Sequence, residues 1–231
     1  MAAPIFILAG EPSGDRLGAS LMRAITARFG KKRWIGTGGP AMWEQGLKSY
    51  FPMEELTIFG FSAAVRAYPR LSRRLDMLVE LIIAEKPEII VTVDAKGFAV
   101  RLAERLRRRL AGTEAPPPMI HTVAPTIWAW GHWRGNRFAH AFDGMLCLFP
   151  FEPDYLLPLG LDARFISHPE AFSPAYDVVG HAAGMPDPDA SPQLTLLPGS
   201  RRSELDHLLD PMLTAISMLY DDMPDLTVQL P

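Results

Sequence analysis

The sequence predicts an α/β protein built on a parallel sheet, with a second unit of the same kind beginning near its end. Three observations predict it. Short apolar runs recur without polar alternation, as strands covered on both faces require. Between them lie longer stretches with the 3.6-residue helical period. Two junctions, Gly10–Asp15 and Gly199-Ser200, join an apolar run directly to an amphipathic stretch through a glycine-bearing turn, where free backbone N–H groups collect at a positive helix end.

In order, strands are expected at Ile5–Ala9, Arg33–Gly36, Ile89–Val93, Met119–Val123, Gly144–Leu148 and Arg164–Ile166. Helices are expected at Arg16–Phe29, Leu71–Glu85 and Phe98–Leu110, the second ended by the Lys86-Pro87 step because the residue before a proline avoids the helical region. Residues 171–192 are rich in Pro, Gly, Ala and Asp without a period and read as a linker. Residues 193–231 then repeat the opening pattern of strand, Gly-Ser turn, long amphipathic helix and strand. A β-α-β unit of that size cannot bury its own core. It is either an appendage of the first domain, residues 1–170, or the start of a second lobe.

The composition is that of a globular chain: 231 residues, 48% hydrophobic, 21% charged and a net charge of −3. The single cysteine, Cys147, excludes an intramolecular disulfide and fits a reducing compartment. No apolar run reaches the ~20 residues of a membrane-spanning helix. The opening apolar stretch has neither basic flank nor cleavage site, so no signal peptide is expected and the location expected is cytoplasmic. Residues 1–170 carry 21 basic against 17 acidic side chains and residues 171–231 carry 2 against 9. This balance is too mild for a nucleic-acid footprint.

Five stretches carry candidate chemistry. In Gly10–Asp15 the spacing fits neither a dinucleotide fingerprint nor a Walker loop. Ser13 reads as a helix cap and Asp15 as a partner of the helix dipole, but Glu11 has no capping role and stands where ligands of open α/β sheets collect. Asp94 directly follows the Ile89–Val93 strand and reads equally as a cap for the next helix or as an acid on that same edge. Trp128, Trp130 and Trp133 stand beside His132, Arg134 and Arg137, a mixture that suits a sugar face and a phosphate, or edge packing. In "LLPGSRRSE", Ser200 and Arg201 converge on an anion at a strand–helix turn, with Glu204 in the first helical turn. In Leu56–Leu75, Ile58, Phe59, Phe61, Val65, Tyr68 and Leu71 interleave with Arg66, Arg70, Arg73 and Arg74; this describes an interfacial segment on anionic lipid or an ordinary helix with a solvated face. No histidine spacing or credible D-x-D suggests a metal.

Together, "AGEPSGDRLGASL", "GTGGPAMWEQGL", "MEELTIFGF", "TVDAKGFAVRLA", "VAPTIWAW", "LFPFE", "ISHP" and "LLPGSRRSE" resemble, in order and across nearly the whole chain, the lipid-A-disaccharide synthase family of membrane-associated glycosyltransferases. The resemblance implies a GT-B-type fold: a Rossmann-like N-terminal lobe over 1–170 and the start of a second, donor-binding lobe over 193–231. It implies transfer of 2,3-diacylglucosamine from its UDP conjugate to lipid X, 2,3-diacylglucosamine 1-phosphate, at the cytoplasmic face of the inner membrane. No cofactor or metal is implied, and homo-oligomer formation is left open. On this reading Asp94 is the base and Glu11 its assistant. Ser13 and Gly14 line the turn; Trp128, Arg134 and Glu204 contact substrate; Ser200 and Arg201 hold the diphosphate; and Phe59, Phe61, Val65 and Tyr68 touch the membrane.

The sequence departs from the family's usual pattern where Lys96 and Gly97 replace proline and a second aspartate, and at Ala99, Gly131 and Ser167. Family members also continue well past Pro231, so the chain alone is expected to have little or no transferase activity. An epimerase-like UDP-sugar enzyme and a non-catalytic binding lobe are the competing readings.

Overall fold

The computed structural model describes residues 3–56, 61–129, 131, 133–172, 190–199 and 202–230, with the side chains of 61–67, 202 and 203 excepted. The chain divides into two units, Met1–Ser173 and Pro174–Pro231. Most of the expected linker, residues 173–189, lies outside the described residues.

The first unit is an α/β layer structure on a seven-stranded sheet. Its elements are β1 (Ile5–Ala9), α1 (Pro12–Phe29), β2 (Trp34–Thr37), α2 (Pro40–Glu44), β3 (Lys48–Ser49), α3 (Phe61–Glu85), β4 (Ile89–Val93), α4 (Lys96–Arg109), β5 (Met119–Thr122), α5 (Trp133–Ala141), β6 (Gly144–Cys147), α6 (Pro153–Leu156) and β7 (Asp162–Phe165). The strand order is β3-β2-β1-β4-β5-β6-β7 and every pairing is parallel. Because the chain runs outward from β1 in one direction and from β4 in the other, the topology reverses between β1 and β4. In open parallel sheets, that switch point opens a crevice at the C-terminal strand ends.

Both faces are covered, which explains the unbroken apolar strands. Phe6 and Leu8 of β1 join a core with Leu78 and Ile82 of α3 and Leu102 and Leu106 of α4. Ile5, Ile7 and Ala9 join Met22 of α1 and Met42 of α2 on the other face. Period-two alternation sends each strand's side chains to both cores.

Two expectations at the first junction are corrected. The helix begins at Pro12 rather than Arg16, because proline is pre-set for the first helical position, and its N-cap is Glu11 in extended backbone. Ser13 is therefore inside the first turn and is not the cap. Asp15 stands in the first turn of α1, as a partner of its dipole would, and also serves a second helix. It is buried and accepts backbone N–H bonds from Gly39 (2.8 Å), Ala41 (2.9 Å) and Met42 (3.1 Å). It thus caps α2 from another helix, and a Cβ at Gly39 would stand 2.7 Å from its Oδ2. Gly39 of the "GTGGP" stretch is thus glycine to admit this carboxylate, while Gly38 makes room for the Met42 side chain.

In the expected membrane segment, Phe59 lies outside the described residues, as do the side chains of Phe61 and Val65. Tyr68 is exposed. Leu71 instead packs on the core, and Arg74 is committed to the protein: it grips Glu55 at 2.8 and 2.9 Å and lies 4.8 Å over the Phe51 ring. No helix among the described residues is long and apolar enough to cross a membrane.

The second unit pairs β8 (Gln193–Thr195) with β9 (Thr227–Gln229) in parallel, joined by α7 (Arg202–Asp222).

Candidate active site

The switch point brings two junctions together. A Cβ at Gly10, after β1, would lie 2.7 Å from the Cβ of Ala95, after β4, so the two turns touch only because residue 10 is glycine. Gly14, in the first turn of α1, faces the Val93 carbonyl and Asp94; a Cβ there would stand 3.5 Å from the Asp94 Cβ.

Asp94 leaves the sheet in an uncommon conformation. Asp94 (φ 51°) and Ala95 (φ 45°) are both left-handed, which aspartate tolerates and which costs alanine about 1 kcal/mol. The Asp94 N–H donates to Thr122 O at 2.6 Å, tying the turn to β5. Asp94 does not cap the next helix: the N-cap of α4 is Ala95, and no side chain caps it. The carboxylate is instead about a quarter exposed (26%), with Lys96 Nζ 3.9 Å from Oδ1. A strained acid at a strand end, tied by its own backbone and open to solvent, is placed to exchange a proton with a ligand.

It opens into a cleft of about 500 Å³. Ser13, Gly14 and Asp94 share its lining. So do Arg16, Ser20 and Arg23 of α1 and His168 and Glu170 after β7, none of which sequence reasoning selected. The signal available for the α1 set was a three-four-three spacing at 13, 16, 20 and 23, which by itself reads as a solvated helix face.

The other expected site residues are not brought together here. Glu11, Trp128 and Arg134 are not among the residues lining the cleft. Trp128 is exposed and meets Phe151 edge-on, with ring centroids 5.4 Å apart. Arg137, expected beside the tryptophans as a cation for ligand, holds Glu104 of α4 in a two-pronged ion pair at 2.7 and 2.9 Å. Ser200 and Arg201 lie outside the described residues, as do Trp130 and His132. Glu204 is half-buried in the first turn of α7 in the second unit.

Behind Asp94, His121 of β5 is fully buried, bonded through Nδ1 to the Thr92 hydroxyl at 2.7 Å and stacked on Phe142. Burial, reinforced by the charge of Lys96, holds its pKa down at about 3, so it is a neutral core residue. Burial and the nearby Glu152 push the Cys147 thiol up to about 12, away from nucleophilic chemistry. Among the described residues, no three His, Cys, Asp or Glu side chains gather as a metal site would need.

The family model described as lipid-A-disaccharide synthetase matches residues 5–231. The chain belongs to that family. Relatives named lipid-A-disaccharide synthase include one from Rhodospirillum centenum, 43% identical over 98% of this chain and 56% of its own length. Another, from Ruegeria pomeroyi, is 37% identical with the same coverage. The chain thus spans just over half the length of these synthase-family relatives. A solved structure described as a UDP-N-acetylglucosamine 2-epimerase from Listeria monocytogenes superposes with a TM-score of 0.54 at 12% identity, covering 100% of this chain and 62% of its own. That likeness speaks for the fold alone: the α/β, GT-B-type class that this lipid-A-disaccharide synthetase family member shares with UDP-sugar epimerases.

Proposed function

We propose that this chain supplies the acceptor-side lobe, residues 1–170, of an inverting glycosyltransferase. A linker (171–192) follows, and then the first β-α-β unit of the donor-side lobe (193–231). The reaction moves 2,3-diacylglucosamine from its UDP conjugate to the 6-hydroxyl of lipid X. The observation that carries the reading is Asp94, strained and open at the switch point beside Ser13 and Gly14, in a chain of this family.

Asp94 takes the proton of the acceptor 6-hydroxyl as that oxygen attacks the anomeric carbon of the donor. The bond from that carbon to the diphosphate breaks with its electron pair going to the departing UDP, and the α-linked donor gives a β-1,6-linked disaccharide 1-phosphate. Glu11 orients the acceptor or assists the base, and Ser13 and Gly14 line the turn. Ser200 and Arg201 hold the departing diphosphate and Glu204 contacts substrate; cations and N–H groups aimed at developing charge are the largest source of such stabilisation. Trp128 and Arg134 contact substrate. Substrates with two acyl chains favour a peripheral site on the cytoplasmic face of the inner membrane, met by Phe59, Phe61, Val65 and Tyr68.

The test is transfer from UDP-2,3-diacylglucosamine to lipid X by this chain alone, and by a chimera completed with the remaining C-terminal part of the Rhodospirillum centenum relative. The chain alone is expected to be inactive and the chimera active. Disaccharide formation by the chain alone would contradict the division of labour, and a folded but inactive chimera would contradict the reaction.

A further inference from the structure

The cleft has a polarity that Asp94 does not explain. Ser13, Arg16, Ser20 and Arg23 project from one face of α1 into it, at the three- and four-residue steps that stack side chains on a helix. Among the described residues Arg16 has no ion-pair partner, and the Arg23 guanidinium donates only to Ser20 Oγ at 3.2 Å. Several arginines of this unit's helices are committed to carboxylates, as Arg74 is to Glu55 and Arg137 to Glu104, while others, such as Arg101 and Arg108, bond to backbone carbonyls of their own helix. The lining also holds His168, whose Nδ1 accepts the Glu170 backbone N–H at 3.2 Å. With Nδ1 accepting, Nε2 carries the ring's N–H and is a donor for a ligand. Glu170 and Asp94 are the acids in the lining, and the guanidiniums extend away from Asp94 along the helix.

We infer that Arg16 and Arg23, with the Nε2–H of His168, form a phosphate-ester site that holds the 1-phosphate of the acceptor while its 6-hydroxyl rests at Asp94. This rests on the proposed function and specifies it. Gly14 marks the Asp94 end; Arg16 is two residues farther along α1 and Arg23 nine, a rise of about 3 and about 13 Å. An acceptor sugar laid along α1 with its hydroxymethyl end at the acid is shorter than the full rise to Arg23, so its phosphate lies between the two arginines, whose long side chains reach it from either side. A planar guanidinium donates two parallel bonds to phosphate oxygens, which suits arginine here over lysine. The other phosphate the reaction offers is the donor's diphosphate, and the experiment separates the two.

Calorimetry on the 231-residue chain compares lipid X, its dephosphorylated counterpart and UDP as ligands of the wild type, Arg16→Gln, Arg23→Gln and the double variant, all in the same detergent. Both arginines are exposed, so the variants are expected to keep the wild-type melting temperature. The double variant should bind lipid X at least tenfold more weakly and the dephosphorylated lipid unchanged; Arg16→Lys with Arg23→Lys should recover part of the loss. Lipid X bound equally by wild type and double variant would overturn the site and leave the proposed function standing. A loss confined to UDP would overturn the acceptor assignment by placing the donor's diphosphate there. A wild type that binds neither lipid would overturn the proposed function itself.

Discussion

The junctions β1–α1 and β8–α7 are built from the same local pattern, an apolar run, a glycine turn and an amphipathic helix, yet their surroundings differ. Around the first, five strand residues and Met22 are buried on both faces of a seven-stranded sheet. Around the second, two strands are paired, and α7 buries Ile216 while Leu213, Met218 and Leu219 stay exposed. The local pattern specifies the turn, but burial comes from the number of strands it is set into. The first junction can therefore hold a strained acid beside it, because neighbouring core contacts over-determine the geometry. Among the described residues, the second has no comparable core around it.

The acids in the two first turns give the largest contrast. Asp15→Ala should cost about 3 kcal/mol, because three backbone N–H groups at the start of α2 lose their acceptor in a buried place. Asp15→Asn should retain part of that. Glu204→Ala, in the half-buried first turn of α7, should cost about 1 kcal/mol or less, as for an ordinary cap. Urea unfolding of the three variants checks this, and equal losses at both junctions would remove the distinction.

The core of the first unit also predicts a pH dependence. His121 is held near 3 in the fold against 6.5 when free, so the unfolded chain binds its proton first. Stability from this group is full above pH 6.5 and drains as pH falls toward 3, at a limit of ~1.4 kcal/mol per pH unit. Between pH 6.5 and 5, above the range of the carboxylates, urea unfolding should show a loss of about 2 kcal/mol. A His121→Phe variant, whose ring suits its neighbours Phe138 and Phe142, should flatten that slope.

The glycines give a smaller contrast. Gly10→Ala drives a methyl against Ala95 and should cost about 1.5 kcal/mol, partly recovered by adding Ala95→Gly, which also relieves the left-handed alanine. Gly199→Ala, at φ 101°, should cost about 1 kcal/mol of local strain without altering the unfolding of the first unit. Thermal melts of the variants report both.

The same contrast explains what was legible in the sequence. Strands such as Ile89–Val93 could be read to the residue, because a strand buried on both faces must be continuously apolar. The two-residue β3 and five-residue α2 could not be read, since neither is long enough to show a period; β3 is held by pairing to β2 and α2 by Asp15. In the site, Asp94, Ser13 and Gly14 were legible because strand ends and glycine turns mark the ligand edge. Arg16, Arg23 and His168 were not, because only the fold aligns one helix face with a loop that follows β7. Glu11 was selected by the same edge argument and Trp128 and Arg134 by composition, and these residues do not line the cleft.

The most direct test of the central claim, that the switch-point cleft is the acceptor half of a transferase site with Asp94 as its base, is single-turnover transfer to lipid X by the chimera with and without Asp94→Asn. Loss of a positioned base predicts a rate at least a hundredfold lower at unchanged melting temperature. Transfer by Asp94→Asn at the parent rate would contradict it.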